Sequence, residues 1–122
     1  MKALTIKQPY ASWIVNGYKE YEFRSWKTNY QGKILIHAGL SKEKDKMKDY
    51  DLDYPLGCII GEATIVDCIQ VNEDLDNKLR QINPIIYGNN HIGMYAWKLE
   101  NVIKYDKPIY VKGKLGLWNY EK

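Results

Sequence analysis

The spacing of apolar positions changes along this chain, and the changes mark out its elements. Ala3-Leu4-Thr5-Ile6 predicts a short strand. Ala11, Ile14 and Val15, with Trp13 beside them, form one stripe at helical spacing. Pro9 suits the first turn of that helix, because its missing N–H has no partner there. Asn16-Gly17 supplies the stop, so the helix covers about residues 9–16. Tyr18 to Arg24 reads as extended, and Asn29 to Gly32 as a turn into a strand over Lys33–Ala38. Ser41 to Tyr50 alternates charges with few apolar residues. It predicts a short, solvated helix that Ser41 can cap. The longest apolar run, Cys58 to Ile69, predicts the central strand, and Gly57 and Gly61 imply sharp curvature. Glu73 to Ile82 predicts a helix and Asn83 to Gly93 a loop. Met94–Leu99 predicts a strand that Ile103–Tyr105 extends, Pro108–Val111 a further one, and Lys112–Trp118 a glycine-punctuated tail. Five or six strands with one early helix imply an α+β domain whose sheet curls into a small barrel.

At 122 residues the chain is expected to form one domain spanning 1–122. Cys58 and Cys68 lie in one apolar run and read as small buried hydrophobes, far in sequence from His37 and His91. No phosphate-binding glycine loop, Ser-His-Asp arrangement or metal-ligand cluster appears. Neither a metal nor a cofactor is expected. No signal peptide or apolar run of membrane-spanning length is seen, so a soluble, cytoplasmic protein with no membrane partner is expected. The net charge is only +3, but residues 2–37 hold six bases against two acids, and residues 98–122 six against three. If the two ends pack together, one face becomes positive, as a polyanion-binding surface requires. Eleven tyrosines and four tryptophans against one phenylalanine favour half-buried positions and ligand surfaces.

Candidate chemistry gathers in Gly17-Tyr18-Lys19-Glu20-Tyr21-Glu22-Phe23-Arg24-Ser25-Trp26. Strand alternation puts Glu22 and Arg24 on one face, with Tyr21 and Phe23 on the other. Lys19 becomes a base or nucleophile if its cleft is partly desolvated. Glu22 can exchange a proton or accept from a base amino group. Arg24 can grip a phosphate or carboxylate with its forked donors, and Trp26 can stack on a base. The bland alternative is a surface ion pair between Glu22 and Arg24, with Trp26 as packing.

These residues resemble a known family. Leu4-Thr5-Ile6-Lys7-Gln8-Pro9-Tyr10-Ala11 and the Gly17–Trp26 run look like an ASCH domain, as do Gly32-Lys33-Ile34-Leu35-Ile36-His37-Ala38, Pro55–Gly61 with Val66-Asp67-Cys68, and the closing Lys112-Gly113-Lys114-Leu115-Gly116-Leu117-Trp118. The resemblance runs almost end to end in the same order. It implies a PUA-like pseudo-barrel with a short N-terminal helix, peripheral helices, and a cleft at the Gly-x-Lys-x-x-Glu-x-Arg motif. It also implies binding of RNA or DNA, as a single strand or a modified nucleotide, with a protein partner left open. The nucleic-acid contacts implied are Lys7, Gln8, Lys19, Glu22, Arg24, Ser25, Trp26, Lys27, Lys112 and Lys114. The alternative is a hydrolase acting on a modified nucleoside, or a ribonuclease, with Lys19 and Glu22 as catalytic residues. One bacterial branch removes the acetyl group of N4-acetylcytidine with a Lys and a Thr of this motif. Glu22 stands where that branch has its threonine, so that deacetylation is not carried over. Thr28 lies off the motif and does not replace it.

Overall fold

The first strand, β1 (Lys2–Gln8), sits between two neighbours and is buried on both faces. Leu4 and Ile6 enter the main core, whereas Ala3 lies under Trp118 on the other side. The structure, a computed structural model, describes residues 1–121. The remaining strands are β2 (Tyr21–Arg24), β3 (Gly32–Lys42), β4 (Cys58–Gln70), β5 (Tyr95–Tyr110) and β6 (Leu117–Asn119). They form one mixed sheet in the order β2-β5-β4-β3-β1-β6. Among the described strands only β1 and β3 run parallel. The sheet curls around Ile14, Ile34, Ile36, Ile65 and Trp97 into an open pseudo-barrel with β2 and β6 at its ends.

Curvature comes from β4. Its register against β5 slips three times, between Ile59 and Gly61, Glu62 and Thr64, and Ile65 and Asp67. Each slip bends the strand and increases its twist. A side chain at Gly61 would run into the Ile103 carbonyl, and into Val15 at 2.8 Å, so helix and strand meet at this glycine. The expected strand pieces between Met94 and Val111 are one strand, β5, which pairs with β2 at its start and β4 along its length.

Helix α1 (Tyr10–Val15) buries five of its six residues. Pro9 is its N-cap rather than part of the first turn, and its carbonyl accepts from Trp13 N at 2.9 Å. Gly17, at φ +85°, turns the chain back. The helix expected over Ser41–Tyr50 shrinks to α2 (Lys44–Met47), which buries nothing. Ser41 belongs to β3 and caps no helix; Glu43 holds the N-cap position without a side-chain bond. Without an apolar stripe the helix has no buried face to lengthen it, and the segment is held at its ends instead, by Glu43 against Tyr10 and by Tyr50 against Trp13 and Tyr18. α3 (Glu73–Ile82) has the expected bounds. Asn72 Oδ1 accepts from Leu75 N at 2.8 Å, and Glu73, Asp74 and Asp76 sit in the first turn, favoured by the helix dipole.

One buried polar chain ties the closing tail to β1 and β3. The Trp118 indole N–H donates to Thr5 Oγ1 at 3.0 Å, Thr5 Oγ1 lies 3.2 Å from His37 Nδ1, and His37 Nε2 lies 2.7 Å from the Val111 carbonyl. A carbonyl accepts only, so Nε2 carries the proton. Nδ1 then accepts from the threonine hydroxyl, and every polar hydrogen has a place. Gly113 lies against this chain: a Cβ there would sit 2.6 Å from Thr5 Oγ1 and 2.7 Å from His37 Cε1.

Candidate functional site

The motif after α1 opens into a cavity of about 720 Å³. Its walls come from β1, the Lys19–Trp26 segment, the end of β3 and the loop before β5. Lys19 is aimed inward by the helix end, because Tyr18 N and Lys19 N both donate to the Trp13 carbonyl, at 2.8 and 3.1 Å. Only 3% of Lys19 is exposed. Its Nζ lies over the rings of Phe23 at 4.4 Å, Tyr87 at 5.3 Å and Tyr10 at 5.6 Å. Among the described residues no carboxylate lies within ion-pair distance of it. Burial brings its pKa down to about 8, against the pull of the Glu22 charge and with a push from Lys46. Tyr10 donates its hydroxyl to Glu43 Oε2 at 2.9 Å; burial, then this bond, hold its pKa well above the usual tyrosine value.

Glu22 is 7% exposed and shares its face of β2 with Arg24. Arg24 Nε and Nη2 both reach Glu22 Oε2 at 3.1 Å, and Nη2 also donates to the Thr5 carbonyl at 2.7 Å. The arginine is thus occupied with holding the carboxylate against β1. Glu22 Oε1 has no partner in the protein among the hydrogen bonds and ion pairs of the described residues. Phe23, expected on the opposite face, packs against Tyr87 and still reaches the cavity, because its ring underlies Lys19. Trp26 stands on edge to Trp97 with ring centroids 4.7 Å apart and keeps 37% of its surface exposed at the cavity wall.

Of the residues proposed from sequence, the cavity gathers Lys7, Lys19, Glu22, Arg24, Ser25 and Trp26. Gln8 is a correction. It is fully buried: its Nε2 donates to Ser12 Oγ at 2.8 Å and the Pro55 carbonyl at 2.9 Å, and its Oε1 accepts from Ser12 N at 3.0 Å. It anchors α1 and has no atom left for a ligand. Lys27, Lys112 and Lys114 are exposed and lie outside the cavity walls. Thr28 is also outside them; its Oγ1 accepts from Tyr30 N at 3.1 Å. Cys58 is buried, Cys68 partly so, and both are free.

Sequence reasoning missed the far wall, Asn89, Asn90, His91 and Met94. The His91 ring stacks on Phe23 with centroids 3.8 Å apart, and burial, followed by the Lys19 charge, lowers its pKa to about 4. Nothing local in Asn89-Asn90-His91 signals this position, which depends on Ile86 and Tyr87 packing on Trp13. Among the described residues no group of His, Cys, Asp and Glu side chains could hold a metal, and no helix is long and apolar enough to cross a membrane.

A family model described as the ASCH domain matches residues 4–109, most of the chain. The chain belongs to the ASCH domain family. It is 32% identical over 81 aligned positions to human Activating signal cointegrator 1, and 31% identical to the mouse protein. Each match covers 54% of this chain but only 14% of the relative, so the chain spans about one seventh of those proteins. A crystal structure of ASCH from Zymomonas mobilis superposes with a TM-score of 0.59 at 18% identity, covering 89% of this chain and 72% of that one. A singly substituted form of the same bacterial protein gives 0.58 at 20% identity, covering 90% and 73%. These structures share the ASCH fold, which is the PUA-like pseudo-barrel described above.

Proposed function

We propose that this ASCH domain binds nucleic acid, taking one base of RNA or a modified nucleotide into the cleft lined by Lys19, Glu22 and Trp26. The observation that carries the reading is a pair of opposite charges, each more than nine-tenths buried, that open onto one cavity without pairing with each other. Burying a charge without full pairing costs several kcal/mol, on the order of what a buried ion pair loses when one partner is removed. A ligand edge with an acceptor beside a donor meets both needs: the acceptor takes a Lys19 N–H, and the donor gives to Glu22 Oε1. Nucleobase edges carry this alternation, and carboxylates accept from base amino groups. The exposed flank of Trp26 offers a stacking surface worth roughly 1–3 kcal/mol. Unpaired bases of single strands and loops are free to enter such a cleft. Lys7, Lys27, Lys112 and Lys114 add phosphate contacts whose strength falls with salt.

Fluorescence anisotropy with short single-stranded RNA and DNA at two salt concentrations tests the reading. Binding that weakens with salt and is lost in Lys19→Ala and Glu22→Gln is expected. Absence of binding to either nucleic acid at micromolar protein would refute it. One feature supports a second reading, hydrolysis of a modified nucleoside or of RNA: an ammonium with a pKa of about 8 shares the cavity with a carboxylate and a neutral imidazole. Such a set can move protons near neutral pH. Incubation with acylated nucleosides and RNA, followed by product analysis, checks it; no turnover above buffer rejects it.

A further inference from the structure

The far wall of the cleft holds a group that the motif does not contain. His91 reaches the cavity from the loop before β5 and lies parallel to Phe23, the two planes 13° apart. The same Phe23 ring carries Lys19 Nζ at 4.4 Å, so imidazole and ammonium share one aromatic contact. The loop is held from behind. His91 N donates to Asp76 Oδ1 at 3.2 Å, and Arg80 Nη2 holds the other carboxylate oxygen at 2.6 Å. Asp76 is only 3% exposed. The His91 backbone is therefore fixed, while neither ring nitrogen has a hydrogen-bond partner among the described residues.

Stacking alone does not account for a histidine here. A phenylalanine would stack on Phe23 equally well but would present no hydrogen-bonding atom to the cavity. No side-chain nitrogen or oxygen of the described residues is buried without a partner, so both ring nitrogens open onto the solvent of the cavity and are free for a group that enters it. We propose that His91 is a ligand contact of this cleft, whose open ring nitrogens, one a donor and the other an acceptor, offer hydrogen bonds to uncharged polar groups of the ligand. Resting on the reading of the cleft as a nucleotide site, this places a sugar hydroxyl or a base ring edge against His91 and turns the phosphate elsewhere. The imidazole is neutral at pH 7, one nitrogen donating and the other accepting. Burial first, then the Lys19, Arg80 and Lys46 charges, oppose its protonation, and Asp76 alone favours it. A phosphate gains little from a neutral ring when Lys7 and Lys19 line the same cavity.

The test compares wild type, His91→Phe and His91→Gln by anisotropy with the single-stranded RNA and DNA oligonucleotides, each variant's unfolding midpoint being measured alongside. His91→Phe keeps the stack and removes the nitrogens. It is expected to weaken binding about three- to tenfold, the loss of one neutral hydrogen bond, at an unchanged midpoint. His91→Gln, which restores a donor and an acceptor, is expected to recover most of it. In wild type, the His91 ring proton resonances are expected to shift when nucleoside monophosphates are added. A shift with ribonucleotides but not with 2′-deoxyribonucleotides identifies the 2′-hydroxyl as the partner; an equal shift with both identifies the base or the 3′-hydroxyl, which 3′-deoxyribonucleotides then separate. Wild-type affinity in His91→Phe, with binding still lost in Lys19→Ala, overturns the role of His91 and leaves the cleft reading standing. Failure of wild type to bind any of these probes overturns both.

Discussion

Replacing Lys19 by methionine should make the protein more stable while abolishing ligand binding. The side chain is buried among Tyr10, Phe23 and Tyr87 with no carboxylate of the described residues in ion-pair range. Its pKa falls from 10.5 to about 8. At about 1.4 kcal/mol for each pH unit, holding the charge there costs roughly 3 kcal/mol at pH 7. Methionine fills a similar volume without charge, and forgoing the attraction between ammonium and rings offsets about 1 kcal/mol of that difference. A net gain of about 2 kcal/mol is expected, raising the melting temperature by roughly 5–10 °C. The pH dependence carries the stronger test. Between pH 8 and 10.5 the unfolded chain still holds the Lys19 proton and the folded protein has released it. Wild-type stability therefore rises with pH through that window, and the advantage of Lys19→Met shrinks towards nothing near pH 10. Urea unfolding followed by tryptophan fluorescence at pH 7, 8.5 and 10 reads this difference, with other titrating groups common to both proteins. A methionine variant less stable than wild type at pH 7, or an advantage that stays constant up to pH 10, would refute the account of Lys19 as an unpaired buried charge.

Three further changes probe the scaffold of the site. Gly113→Ala forces a methyl group against Thr5 and His37 and should lower stability by about 2–4 kcal/mol, seen as a reduced urea midpoint; an unchanged midpoint would show that the tail does not seal that chain. Arg24→Lys cannot span Glu22 and the Thr5 carbonyl together, so ligand affinity should fall about tenfold with a stability loss of about 1–2 kcal/mol, read by anisotropy and urea unfolding. Asn72→Ala removes the acceptor for Leu75 N and should cost about 1 kcal/mol by the same unfolding assay, with ligand affinity kept.

Much of the architecture was legible along the chain because it is written in local patterns. The stripe of α1 with its Asn16-Gly17 stop and the apolar run of β4 agree with their observed bounds to within a residue or so. α3 matches at both ends. The trio Lys19, Glu22 and Arg24 was legible for the same reason: three residues close in sequence behind a helix end meet on one wall. The continuity of β5 was not, because Glu100 to Pro108 shows no clean alternation. Pairing with β4 holds those residues extended where their own pattern does not. The burial of Gln8 was hidden too, since its partners include the carbonyl of Pro55, far along the chain.

Taken by itself, the order of residues determined the helix ends, the strand-forming runs and the charged motif, all of which depend on neighbours within a few positions. Tertiary structure decided the rest. It brought Asn89, Asn90 and His91 across from the motif to close the cavity. It turned Arg24 from a free cation into the brace of Glu22, and it left Lys19 without a counter-charge among the described residues. The physical reason is that partners and water exclusion are properties of the assembled barrel, set by packing between segments that lie dozens of residues apart.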